Sequence, residues 1–404
     1  MWEPIANQDN KVKIVNILQH ICIRLDELKN SIYGTGIANG SAGICLYLHN
    51  VHIYLNDDCV SNILDEYISI LYKGLQANNN NLSFFTGLSG SGFCLDCIGA
   101  DDENHEDTNE DIDDLILEQL DKGWNGDYEL SVGLIGLGVY ALNRIQNPTS
   151  LKILGLIVNI INDTKVKVDL GYVWSTNKGS AFRNANPTSE FNLGLAHGVP
   201  GVVAFLALLH LKTGDMFPCR ILLEKACEGI IAQRQSGPFN SEFPYEYNAP
   251  SSSRLAWCYG DLSIAIVLLN AGISLKNELI KSFALEIAHK CCERNRQTYG
   301  DYDLGFCHGI SGLLHQFNIL YQVTGTAIFK EKADSLLSEI VQAYEKEGNQ
   351  LSALNMFDKV ADNYKEEPGV LAGYAGIGLI LLSTISNTLP RWSEGFLLPI
   401  IEVK

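Results

Sequence analysis

Four side chains stand at matched distances ahead of glycine pairs. Cys258 lies two residues before Gly260, Cys307 and His308 immediately precede Gly309, and His197 immediately precedes Gly198. Two thiols and an imidazole form a ligand set for zinc, and three protein ligands leave a fourth position open, the pattern of a catalytic site rather than a structural one. Neighbouring residues on a regular helix diverge by about 100°, so Cys307 and His308 can share one ion only on a non-helical turn, which the flanking Gly305 and Gly309 supply. His197 is a candidate general acid, because an imidazole titrates near neutral pH. Arg254, four residues before Cys258, is a candidate anion binder. A buried cysteine is ordinarily only a small apolar residue. Cys45 and Cys227 read that way, and so does the Cys94–Cys97 pair inside the apolar run FCLDCIGA.

For these residues to meet, something must bring distant segments together. A glycine, two residues, a second glycine and then an apolar run occur at Gly40–Gly43, Gly87–Gly90, Gly133–Gly136, Gly198–Gly201, Gly260–Ser263, Gly309–Gly312 and Gly373–Gly376, with Ser263 replacing the second glycine of the fifth. One such motif means nothing; seven at quasi-regular spacing indicate a repeat architecture. Between them lie amphipathic helical patterns: Ile14, Val15, Leu18, Ile21, Cys22, Leu25 and Leu28; Ile63, Leu64, Tyr67, Ile68, Leu71 and Leu75; Leu336, Leu337, Ile340 and Val341. The runs after the glycines are apolar all round and must be buried. The economical arrangement is an all-α ring with inner apolar helices wrapped by outer amphipathic ones, its glycine turns meeting at one end. Glycine at the start of each inner helix allows positive φ and close backbone approach. Three segments break the pattern: 101–114, an acidic run expected to be a solvated loop entering a helix; 162–190; and 236–253. The strand signal is confined to Tyr172–Trp174.

The composition agrees with a folded, acidic protein. The 404 residues carry 29 Lys and Arg against 47 Asp and Glu, a net charge of −18, with 46% hydrophobic residues. Such a balance excludes a disordered chain and disfavours sequence-independent nucleic-acid binding. Residues 1–13 lack the apolar core of a signal peptide, and no run approaches 18 apolar residues, so no membrane-spanning helix is expected. Eleven scattered cysteines fit free thiols in a reducing compartment. Length alone suggests two or three domains. A closed ring of repeats cannot be cut without exposing inner helices, so one domain spanning residues 1–404 is expected, with irregular insertions near 101–114, 162–190 and 236–253. Thirteen of the 36 glycines sit in the seven turns.

The seven turns, RLAWCYGD (Arg254–Asp261), CHG (Cys307–Gly309) and LAHG (Leu195–Gly198) together resemble the lanthionine synthetase C (lanthipeptide cyclase) family over essentially the whole chain. The resemblance implies an α/α toroid of seven inner and seven outer helices and a Zn²⁺ ion held by Cys258, Cys307 and His308. It assigns catalytic roles to His197, Arg254 and Tyr259. The family's aspartate, four residues before the third glycine turn, matches Glu129 in DYELSVGLIG, with Asp127 a nearby alternative. The implied reaction is addition of cysteine thiolates to dehydroalanine or dehydrobutyrine within a precursor peptide, giving lanthionine or methyllanthionine rings. A dehydrated, leader-bearing precursor peptide is the implied partner. A separate dehydratase and a transporter are candidate partners, and the implied location is the cytoplasm, at the membrane periphery if such a complex forms. Two other readings stand beside it: a non-catalytic zinc-containing peptide-binding subunit, and another zinc-thiolate alkyl transferase on an α/α toroid. Seven turns and two cysteine ligands count against the second of these.

Overall fold

In the computed structural model, the described residues are 2–32, 34–77, 81–100, 107–176, 190–300, 303–358 and 361–401. The helices in chain order are α1 (Gln8–Leu28), α2 (Ser41–Leu55), α3 (Asp58–Ala77), α4 (Leu88–Gly99), α5 (Glu110–Asp121), α6 (Leu134–Asn143), α7 (Pro148–Thr164) and α8 (Val199–Thr213). They continue with α9 (Arg220–Ile231), α10 (Asp261–Leu275), α11 (Glu278–Glu293), the single turn α12 (Arg296–Tyr299), α13 (Ile310–Thr324), α14 (Ala327–Lys346) and α15 (Tyr374–Ile385).

Helices that follow a glycine turn are predominantly apolar and buried around most of their circumference. In α10 and α15 nearly every residue is buried, and in α13 Ile310–Leu320 are. Such helices are stable only when surrounded, and here they surround one another. Helices α2, α4, α6, α8, α10, α13 and α15 pack in that sequence, and α15 returns to α2 to close the ring. The amphipathic helices α3, α5, α7, α9, α11 and α14 lie outside their inner partners, and α1 covers α15. Helix α1 buries Ile14, Ile17, Leu18, Ile21, Cys22 and Leu25, the stripe its 3.6-residue period predicts. The fold is an α/α toroid of seven inner and seven outer helices. Contrary to expectation, Val199–Met216 does reach the length and hydropathy of a membrane span. It is α8 and its continuation, apolar because it belongs to the inner ring; 67% of that stretch is buried.

The turns are registered by a cyclic set of backbone hydrogen bonds. Ala38 N–H donates to Phe85 O, Phe85 to Ser131 O, Leu130 to Ala196 O, Leu195 to Cys258 O, Cys258 to Cys307 O and Cys307 to Leu371 O. Leu371 N–H then donates to Ala38 O at 2.9 Å, closing the circle. Three residues before each first glycine sits an apolar side chain with no exposed surface: Ile37, Phe84, Leu130, Leu195, Trp257, Phe306 and Val370. These seven form a layer beneath the turns.

The glycines serve close approach more than unusual φ. A Cβ on the second glycine of a turn would fall 1.7 Å from Phe84 O at Gly90 and 1.8 Å from Val370 O at Gly376. Among the seven first glycines only Gly260 takes positive φ (+107°); the other six are extended. Gly260 opens the one turn that lacks a second glycine, and there the Ser263 hydroxyl donates to Gly260 O at 2.9 Å.

The insertions differ partly from expectation. Of the acidic run, 101–106 lies outside the described residues, and 110–114 begins α5. The run is not simply solvated. Asp113 is buried at 1% exposure and, with Asp96 and Asp107, surrounds the Arg144 guanidinium at the end of α6. A buried guanidinium requires such partners. Residues 177–189 of the second insertion lie outside the described residues. Its described part holds a minimal hairpin, β1 (Val166–Lys167) with β2 (Tyr172–Val173), where a strand was expected. A second hairpin, β3 (Met356–Asp358) with β4 (Asn363–Lys365), was not anticipated.

Candidate active site

The turn-to-turn hydrogen bonds place the third, fourth, fifth and sixth turns side by side, and these four turns carry the predicted site residues. Cys258 and Cys307 occupy the same turn position, two before the first glycine. His197, Tyr259 and His308 share the next. The ligand atoms of Cys258, Cys307 and His308 all lie within 4.8 Å of one another, with Cys258 buried and the other two half-buried. Among the described residues no other group of His, Cys, Asp and Glu side chains is gathered in this way. Two thiols and an imidazole at that separation fit a tetrahedral zinc ion with one position open. The hydrogen bond with Cys258 and then burial hold the Cys307 thiol well above its ordinary range, while the Arg254 charge pulls the other way.

Behind His308 stands Asp303. It is 4% exposed, and its carboxylate is 3.8 Å from His308 Nε2. Oδ1 of Asp303 accepts from Gly305 N–H at 3.0 Å, bracing the turn. Position by position, Asp303 corresponds to Asn81, Asn192 and Glu367, each six residues before a first glycine and each accepting from the backbone N–H two residues on. These are turn-closing side chains. Asp127 holds the same position in the third turn, and Arg254 holds it in the fifth. The fifth turn thus presents a guanidinium where five of the others carry an amide or carboxylate and the first has Gly34. It is also the turn whose glycine has positive φ.

The carboxylate that meets His197 is that of Glu129. Glu129 Oε2 lies 2.6 Å from His197 Nδ1. The same carboxylate accepts from Ser131 N–H at 2.9 Å through Oε2 and from Val132 N–H at 2.5 Å through Oε1. With two backbone donors already on it, Glu129 (2% exposed) is an acceptor toward the imidazole, so the shared proton belongs on His197 Nδ1. His197 keeps 17% of its side chain exposed. The longer glutamate side chain is accommodated by curling back onto its own turn.

Tyr259 is fixed through an amide. Asn192 Oδ1 accepts from Gly194 N–H at 2.7 Å, which orients Nδ2 to donate to the Tyr259 hydroxyl at 2.6 Å. Burial pushes the Tyr259 phenol up to about 12, so it stays protonated and able to donate. Tyr245, which sequence reasoning missed, meets Tyr259 edge to face at 5.3 Å, and its hydroxyl accepts from Arg254 N–H at 2.9 Å. It comes from the 236–253 segment, which forms one wall of the site through Leu193 N–H to Tyr245 O and Tyr247 N–H to Phe191 O. The signal available in the sequence was a tyrosine-rich insertion leading straight into the WCYG turn.

Burial holds the Cys94 and Cys97 thiols far above their ordinary range, and none of the eleven cysteines is in a disulfide.

The sequence model of a family described as lanthionine synthetase C-like protein matches residues 31–397. Nisin biosynthesis protein NisC of Lactococcus lactis subsp. lactis is 25% identical over 391 residues, which cover 90% of this chain and 88% of that one. A solved structure of nisin cyclase superposes with a TM-score of 0.70 at 22% identity, covering 94% of this chain and 96% of that chain, a likeness of fold.

Proposed function

Because the chain belongs to the lanthionine synthetase C-like family, we propose that it is a zinc-dependent lanthipeptide cyclase. It closes lanthionine and methyllanthionine rings in a dehydrated, leader-bearing precursor peptide, whose dehydro residues come from a separate dehydratase. The observation that carries this reading is the meeting of two separate devices on adjacent turns. The Cys258, Cys307 and His308 cluster and the His197–Glu129 pair are joined by the 2.9 Å bond from Leu195 N–H to Cys258 O.

The residues divide the work by chemistry. Cys258, Cys307 and His308 would hold the ion, with Asp303 keeping the His308 ring in orientation. Bound there, zinc would keep a peptide thiol ionised, and hence nucleophilic, at neutral pH. The cysteine sulfur bonds to the β-carbon of the dehydro residue. The electron pair of the double bond moves to the α-carbon and its carbonyl oxygen. Arg254 and the Tyr259 hydroxyl donate to that developing oxyanion. His197, held by Glu129 through Nδ1, protonates the α-carbon. The thiol proton lost at the start balances the proton gained at the end, so the product is an isomer of the substrate.

The test is ring formation on a dehydrated precursor peptide, measured by mass spectrometry after thiol alkylation. Cys258→Ala is expected to lose the single bound zinc and to close rings no faster than the uncatalysed rate. Unchanged ring formation by that variant would overturn the proposal. Peptide binding without acceleration by the unaltered protein would favour a non-catalytic subunit instead.

A further inference from the structure

The chain does not end at its last inner helix. After α15 it returns through a short 3-10 helix, Arg391–Phe396, and continues without regular secondary structure to Ile401. Trp392, Phe396, Leu397, Leu398 and Ile401 are all buried. The Phe396 ring touches three different turns, at 6.2 Å from Phe85, 5.7 Å from Trp257 and 4.9 Å from Phe306. Leu397 lies against Gly201 at the start of α8, and Gly395 against Phe93 of α4 and Ile37 of the first turn. One segment can reach turns from so many repeats only by occupying the axis of the ring. Its tip is conformationally costly: Leu397 has φ of +56°, a value a bulky residue adopts only where its surroundings impose it.

The contacts are selective. Trp257 and Phe306 immediately precede Cys258 and Cys307, and they stack on each other at 5.0 Å. The Trp257 indole N–H donates to the Phe396 carbonyl at 2.9 Å. Trp257 and Cys258 N–H both reach Cys307 O at 3.2 Å. The two cysteine turns therefore rest on the same aromatic residue. We infer that the C-terminal segment is an axial plug that sets the spacing of the two cysteine turns, with Phe396 as the positioning residue for the metal centre.

This inference rests on the reading of Cys258, Cys307 and His308 as ligands. It is tested on the full-length chain with Phe396→Ala, Phe396→Leu and a control, Phe329→Ala, which empties an equally buried aromatic site on the outer helix α14. Zinc affinity is measured by chelator competition, ligand geometry by the visible spectrum of the cobalt(II) form, and folding by thermal melting of the metal-free chain. Phe396→Ala is expected to bind zinc about 10–100-fold more weakly, the range for loss of a group supporting a ligand, with a changed cobalt spectrum. Phe396→Leu should recover part of both, and Phe329→Ala should lower the melting temperature while keeping affinity and spectrum. Wild-type affinity and spectrum in Phe396→Ala would overturn the inference alone, as would equal losses in Phe396→Ala and Phe329→Ala. If Phe396→Ala does not fold, Phe396→Leu against Phe329→Ala decides in the same way. A wild-type chain that binds no ion would overturn the ligand reading, and this inference with it.

Discussion

His315 makes the stability of the toroid depend on pH in a way that can be isolated. It lies in the middle of inner helix α13 with no exposed surface, stacked on Trp392 at 4.8 Å. Neither ring nitrogen has a hydrogen-bond partner among the described residues. Burial without an acceptor disfavours the charged ring, and its pKa falls to about 3 from the ordinary 6.5. Between those values the unfolded chain binds a proton that the folded chain does not, so acidification favours unfolding. The contribution is intact above pH 6.5 and is lost as the pH falls from there toward 3. Between pH 7 and pH 5 the linkage amounts to about 2 kcal/mol from this one residue. The substitution is His315→Leu, close in volume and unable to titrate. Urea denaturation at pH 7 and pH 5, with a chelator present so that protons do not compete for the metal ligands, gives the stability loss of each protein. All other titrating groups are common to both, so the wild-type loss should exceed that of His315→Leu by about 2 kcal/mol. Equal losses would refute the reasoning, since they would mean that His315 gains its proton in the folded chain as readily as in the unfolded one.

Two further expectations follow from the turns. Glu129→Gln keeps the shape of the side chain but cannot accept from two backbone N–H groups and His197 at once. Ring closure should slow about 100-fold, the lower range for a displaced proton donor, while peptide affinity stays near wild type; a rate within twofold would exclude a role for Glu129 in aligning His197. Gly90→Ala puts a Cβ 1.7 Å from Phe84 O, so the second turn must move and stability should fall by about 3 kcal/mol, read as a lowered urea midpoint; an unchanged midpoint would mean that the turn yields without cost.

The parts of the site legible in the sequence were those repeated with the fold. Because Cys258 and Cys307 recur two residues before a turn glycine, and His197 and His308 one before, a closed ring had to bring them to one end. What was not legible lacked a repeat signature. Asp127 and Glu129 are both carboxylates near the third turn, and only the backbone path shows Asp127 in a turn-closing position and Glu129 against His197. Tyr245 comes from a segment with no counterpart in the other repeats. Asp113 reads as part of a polar run, yet burial of Arg144 draws it inside.

By itself the sequence determined the repeat number, the inner and outer helices and the gathering of Cys258, Cys307 and His308, because glycine spacing and hydrophobic period are local properties written once per repeat. The tertiary structure alone decided the ring of hydrogen bonds between turns, the positive φ of Gly260 beneath Arg254, and the return of the C-terminus into the axis. Each of these depends on which surfaces remain unfilled once seven repeats close, and a void on the axis belongs to no single repeat.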